Sequence, residues 1–156
     1  MRLQKATRFA LYAILELASD PDRQFSAAEI AERYDISVKH LSKVLRSLGR
    51  AGLVEAVRGA GGGYRFTGNA KRITLLDLIR LFEEVDSTGS DGREPGDATP
   101  EGRALGSVLE EIEDIARATL SSISVATMLK LIAEERRRDN ADRPAAVGRL
   151  VAQAGD

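Results

Sequence analysis

Cysteine is absent from the 156-residue chain, and histidine occurs once, as His40. The first absence excludes disulfides, thiol catalysis and any metal or iron–sulfur cluster held by thiolates. The second argues against a histidine-built zinc site or a Ser-His-Asp triad within one chain. Long apolar runs are lacking too, and none approaches the length of a membrane span. Phe9 to Leu15, preceded by Arg2, Lys5 and Arg8, has the outline of a secretion signal. Glu16 interrupts it and no small-residue cleavage site follows, so it reads as an amphipathic helix. The expected protein is soluble and cytoplasmic, carries no metal or cofactor, and is not an enzyme. No nucleophile, base and orienting group can be assembled from these residues. The paired carboxylates Glu83-Glu84 and Glu110-Glu111 do not change this, because neighbours in sequence point apart on a helix.

What is present is an uneven distribution of charge. The net charge is −1, yet residues 1–72 hold 13 Lys/Arg against 7 Asp/Glu, and residues 73–156 hold 10 against 17. Only the first part is suited to an anionic partner. Its cations concentrate in VKHLSKVLRSLGR, which has no acidic residue. At about 100° per residue, Leu41, Val44, Leu45 and Leu48 share one face. Lys39, Lys43, Arg46 and Arg50 fall within about 60° of each other on the opposite face. One side can bury while the other meets a polyanion. His40 lies on the flank of the basic face, as either a DNA contact or a merely exposed residue.

The flanking segments suit that reading. Ser26-Ala27-Ala28-Glu29 matches a capping box and opens a short helix to Arg33 or Tyr34. Asp35-Ile36 is a turn, and Ser37 is expected to cap the basic helix. A short helix, a turn and a second helix make helix-turn-helix spacing. Ala51-Gly52 ends the basic helix. Leu53–Val57 and Tyr64–Phe66 read as two short strands around the glycine-rich tip Arg58–Gly63. Glycines there could instead cradle a nucleotide phosphate, but that needs a following helix, and a strand follows. The layout is that of a winged helix-turn-helix.

Elsewhere, Lys5–Ser19 is the first helix, ended by Asp20-Pro21-Asp22. Thr74–Asp77 caps another, with Ile73, Leu76, Ile79 and Phe82 at helical spacing. Asp86–Arg103 reads as a mobile linker. From Ala104 to Ile123 the residues Leu105, Val108, Leu109, Ile112, Ile115, Ala116, Leu120 and Ile123 share one face, an apolar stripe about 140° wide. It is either core or, as one small winged domain cannot cover it, the seam of a dimer. Ser124 restarts a helix that ends at Arg136-Arg137-Arg138, and Asp139–Asp156 is expected to fray.

At AEIAERYDIS, AGLVEAVRGAGGGYRF and ITLLDLI the chain resembles the winged helix-turn-helix regulators typified by the iron–sulfur cluster regulator IscR and the nitric-oxide sensor NsrR. The resemblance is close from Leu3 to Val85 and looser to Leu131. It implies that the second helix of the motif enters the major groove, the wing enters the minor groove, and a long later helix pairs two subunits. It implies base or phosphate contacts from Lys39, His40, Ser42, Lys43 and Arg46, and a wing arginine at Arg58 beside Gly61, Gly62 and Tyr64. Cluster-binding members carry three cysteines in the loop that is Asp86–Arg103 here, and this chain has none. Many members have Tyr-Leu-Glu where His40-Leu41-Ser42 stands.

The expectation is a mainly α fold with a small β-hairpin wing: a winged helix-turn-helix DNA-binding domain over 1–85, a linker over 86–103, dimerisation helices over 104–138 and a tail over 139–156. The expected function is transcriptional regulation, most often repression, by a homodimer on double-stranded DNA. The DNA-facing set is Ser37, Lys39, His40, Ser42, Lys43, Arg46, Arg50, Arg58, Gly61, Gly62 and Tyr64. A protein-binding adaptor is the alternative, and the signal sensed, whether ligand, partner or none, stays open.

Overall fold

The structure is a computed structural model that describes residues 2–83 and 94–143. Its elements in order are α1 (Lys5–Ser19), α2 (Ala27–Arg33), α3 (Val38–Arg50), β1 (Val54–Val57), β2 (Gly63–Phe66), α4 (Leu75–Glu83), α5 (Pro100–Ser122) and α6 (Val125–Asp142). This is the expected mainly α fold with a two-stranded wing. The core gathers Ala10, Ile14 and Leu17 of α1, Ile30 of α2, Leu41, Leu45 and Leu48 of α3, and Leu78 of α4.

Local chemistry sets most boundaries. Ser26 Oγ accepts from Glu29 N–H at 3.1 Å, and Glu29 Oε2 accepts from Ser26 N–H at 2.8 Å, closing the capping box of α2. The Ser26 backbone N–H on this carboxylate holds Glu29 below its ordinary value. Asp35 takes φ +51° in the turn to α3, a left-handed conformation that Asp tolerates better than most residues. Gly52 takes φ +75° after α3. Leu53 N–H returns to Leu48 C=O at 3.1 Å and Gly52 N–H to Gly49 C=O at 3.0 Å, which is a Schellman stop. Thr74 and Asp77 cap α4 reciprocally, Asp77 N–H to Thr74 Oγ1 at 3.2 Å and Thr74 N–H to Asp77 Oδ2 at 2.9 Å.

Four features depart from the sequence reading. Ser37 stands at the N-cap of α3 but makes no side-chain capping bond. The antiparallel wing pairs Val54 with Phe66 and Val57 with Gly63, so the second strand begins one residue early. Its far edge bonds to Phe25, with Tyr64 N–H to Phe25 C=O at 2.7 Å and Phe25 N–H to Tyr64 C=O at 2.9 Å. Helix α5 starts at Pro100 rather than Ala104, because Thr99 Oγ1 accepts from Gly102 N–H at 3.0 Å and Pro suits the first turn. Helix α6 continues past Arg138 to Asp142, where the charged run remains helical. The parts of the expected linker and tail at 86–93 and 144–156 lie outside the described residues.

The junction of α5 and α6 is fastened to the winged domain. Val125 N–H bonds to Ile73 C=O at 2.8 Å, Leu75 N–H to Ile123 C=O at 2.9 Å, and Ala126 N–H to Ala70 C=O at 2.8 Å. Val125 is fully buried and Leu129 packs against the core. Helix α6 is therefore part of the same packed body as α1, while α5 buries no residue of its own.

One polar cluster ties α1 to the helix-turn-helix. Glu16 is buried on α1, accepts from Tyr34 Oη at 2.7 Å and pairs with Arg33 Nε at 3.1 Å. Tyr34 stacks on Tyr12 with ring centroids 5.0 Å apart. Burial, then the bond to Glu16 and its charge, push the Tyr34 phenol up to about 12. An unfolded tyrosine ionises near about 10. The phenol's contribution is thus intact below that pH and is lost as pH climbs from about 10 through about 12. Tyr34→Phe is expected to cost about 1–3 kcal/mol at neutral pH, since it removes a bond to a buried charge. It should also flatten the alkaline fall in stability, as read by urea midpoints at neutral pH and midway through that window.

Candidate nucleic-acid interface

Helix α3 divides as its periodicity predicts. Leu41, Val44, Leu45 and Leu48 are buried, and Lys39, Lys43, Arg46 and Arg50 are exposed. Among the described residues no carboxylate lies in ion-pairing distance of these four cations. Arg50 donates to Ser47 Oγ at 3.2 Å, a neutral partner that leaves its charge uncompensated. His40 is exposed, and Ser42 is half-buried. The helix carries no acidic residue, so its outward face is uniformly positive.

The wing follows directly from this helix. Arg58 is exposed at its base and, among the described residues, has no ion-pair partner. The tip is held rather than slack: Gly62 N–H bonds to Gly59 C=O at 2.9 Å. Gly61 is exposed at φ +76°. At Gly62 a Cβ would stand 2.4 Å from Val57 C=O, so the turn has no room for a side chain. Farther along, Glu55 and Arg65 pair across the strands, which neutralises Arg65. Tyr64 behaves differently from its neighbours. Its ring packs against the core and its backbone bonds to Phe25, so it holds the wing in place.

Two residues of this face escaped the sequence reading. Val38, on the first turn of α3, is 48% exposed beside the cations and could meet a thymine methyl. An unpaired apolar position was the only available sign. Lys5 of α1 lines a cleft together with His40 and Lys43, a proximity made by tertiary packing.

The apolar stripe of α5 is uncovered over most of its length. Leu105 is 60% exposed, Val108 54%, Leu109 51%, Ile112 56% and Ile115 62%. Ala116, Leu120 and Ile123 are half-buried towards the junction with α6. Among the described residues no group of three or more His, Cys, Asp or Glu side chains could hold a metal ion. No described helix is long and apolar enough to cross a membrane.

A helix-turn-helix with a bare cationic second helix and a glycine-tipped hairpin defines the class of winged helix-turn-helix DNA-binding proteins. Residues 3–131 match the Rrf2 family, described as iron-dependent transcriptional regulator, and the chain belongs to that family. It is 58% identical over 139 residues to a protein of Rhodopseudomonas palustris named as the HTH-type transcriptional regulator BadM, covering 88% of this chain and 87% of that one. It is 39% identical over 88 residues to the HTH-type transcriptional regulator IscR of Cereibacter sphaeroides, spanning 54% of this chain and 57% of the relative. Among solved structures, T. potens IscR superposes with a TM-score of 0.70 at 29% identity, covering 87% of this chain and 91% of the other. CymR of Staphylococcus aureus in its oxidized form gives a TM-score of 0.67 at 26% identity, covering 83% and 96%. The residues present do not fit a cysteine-held iron–sulfur cluster, because the chain has no cysteine.

Proposed function

We propose that the chain regulates transcription as a homodimer that binds DNA sequence-specifically and represses by occupying its operator. Residues 1–85 serve as the DNA-binding unit and 104–138 carry the pairing helices. Each subunit lays α3 in a major groove, with Lys39, His40, Ser42, Lys43 and Arg46 towards base edges and phosphates and Ser37 and Arg50 at its two ends. Arg58 leads the wing into the adjoining minor groove, where Gly61 and Gly62 allow close approach. Tyr64 supports the wing from behind. Leu105, Val108, Leu109, Ile112 and Ile115 form the dimer seam, with Ala116, Leu120 and Ile123 continuing it towards the junction. Two-fold pairing makes the operator an imperfect palindrome with half-sites about 10–10.5 base pairs apart, or a multiple.

The observation that carries this reading is the uncompensated row of four cations on α3, opposite a fully buried apolar face. Cations that neutralise phosphates release counterions, so the affinity must fall with salt, by about 0.9 in log-log slope per phosphate. Titration of duplex DNA with the protein across a range of salt concentrations is expected to give a steep negative slope. A flat response, or no binding at low ionic strength, would fit an adaptor that binds only protein.

A further inference from the structure

The basic face does not end with α3. Lys5, Ala6 and Phe9 of α1 and His40, Lys43 and Val44 of α3 line one surface cleft of about 240 Å³. Ala6, Phe9 and Val44 give it carbon walls. Lys5, Lys43 and His40 border it with the carbon parts of their side chains, and the two lysines carry their charge at its edge. Among the described residues neither ammonium has a carboxylate partner. The first turn of α1 is also held firmly. Glu83 Oε1 accepts from Gln4 N–H at 3.3 Å and from Thr7 Oγ1 at 3.1 Å, so a carboxylate from the end of α4 caps the helix that carries Lys5.

We infer that this cleft seats one deoxyribose of the DNA backbone, with Lys5 and Lys43 taking the phosphates on either side of it. This rests on the DNA-binding reading above and extends it to a second element. The occupant follows from the chemistry. A sugar in a nucleic-acid strand is a largely apolar ring between two anions, and the cleft is a carbon-lined hollow bordered by two lysines. The cleft is also continuous with the α3 face, because His40 and Lys43 belong to both. A contact of this kind carries no sequence information. It sets the register of α3 on the duplex, and its loss weakens all sequences alike.

The test is a salt titration of a short random-sequence duplex against the full-length protein and its variants. Lys5 is exposed, so Lys5→Ala should keep the wild-type melting curve. It should lower the log-log salt slope by about 0.9 for each copy of Lys5 engaged. Lys5→Arg should restore most of the slope, and Lys130→Ala on α6 should leave it unchanged. If Lys43→Ala lowers the slope while Lys5→Ala does not, the cleft proposal is wrong and the α3 reading stands. If neither variant changes it, the cleft proposal is wrong too, and a flat slope for the wild-type protein would end the DNA reading as well. Competition between hexanoate and DNA, with an unchanged slope for Lys5→Ala, would reassign the cleft to a free ligand and overturn the proposal.

Discussion

Ile112→Asp is expected to turn the protein into a folded monomer that has lost nearly all hold on its operator. Helix α5 buries no residue within its own chain, and five large apolar side chains on it are more than half exposed. Ile112 is one of them. Burying one such side chain is worth about 1.5–3 kcal/mol. In a two-fold seam each position counts twice, so the aspartate both removes that gain and sets two carboxylates in an apolar contact. Folding should survive, since Ile112 is more than half exposed and is no part of the packed core. DNA binding should not. Joining two half-site contacts raises avidity by roughly 10²–10⁴, and a monomer forfeits it. Sedimentation equilibrium gives the mass, and fluorescence anisotropy on operator DNA gives the affinity. A variant that stays dimeric would move the seam away from α5.

Arg46→Ala and Arg58→Ala are expected to weaken operator binding by about 1–3 kcal/mol each if each reads a base edge or groove. The two stand on different elements, α3 and the wing, so their effects should be close to additive and the double variant should lose about 2–6 kcal/mol. Neither guanidinium has an ion-pair partner among the described residues, so neither substitution should lower the melting temperature appreciably. Arg65→Ala is the matched control. That cation is already paired with Glu55, and its removal should cost the DNA far less.

The elements that were legible in the sequence are those whose cause is local. The stripe of Leu41, Val44, Leu45 and Leu48 has the helical period, Ser26 and Glu29 have capping-box spacing, and Gly52 falls where a left-handed residue must. The start of α5 was hidden because Thr99-Pro100-Glu101-Gly102 has the composition of a loop, although Thr99 and Pro100 are also good helix-opening residues. The Phe25–Tyr64 bridge has no periodicity to read, being a single residue pair joined across the fold. The same holds for Glu83 capping α1 and for Lys5 beside Lys43, which only tertiary packing brings together. In the interface, the charges could be listed from sequence, but Tyr64 could not be sorted from Arg58. Both lie near the glycines, and only burial separates the ring that supports the wing from the cation that is free to leave it.

Methylation protection of operator DNA tests the groove assignment most directly, because dimethyl sulfate reports guanine N7 in the major groove and adenine N3 in the minor groove in one experiment. With wild-type protein, guanine N7 should be shielded in two clusters about one helical turn apart, or a multiple, with adenine N3 shielded beside each. Arg46→Ala should weaken the N7 protection and Arg58→Ala the N3 protection. A bound complex that leaves guanine N7 fully reactive would contradict the placement of α3 in the major groove.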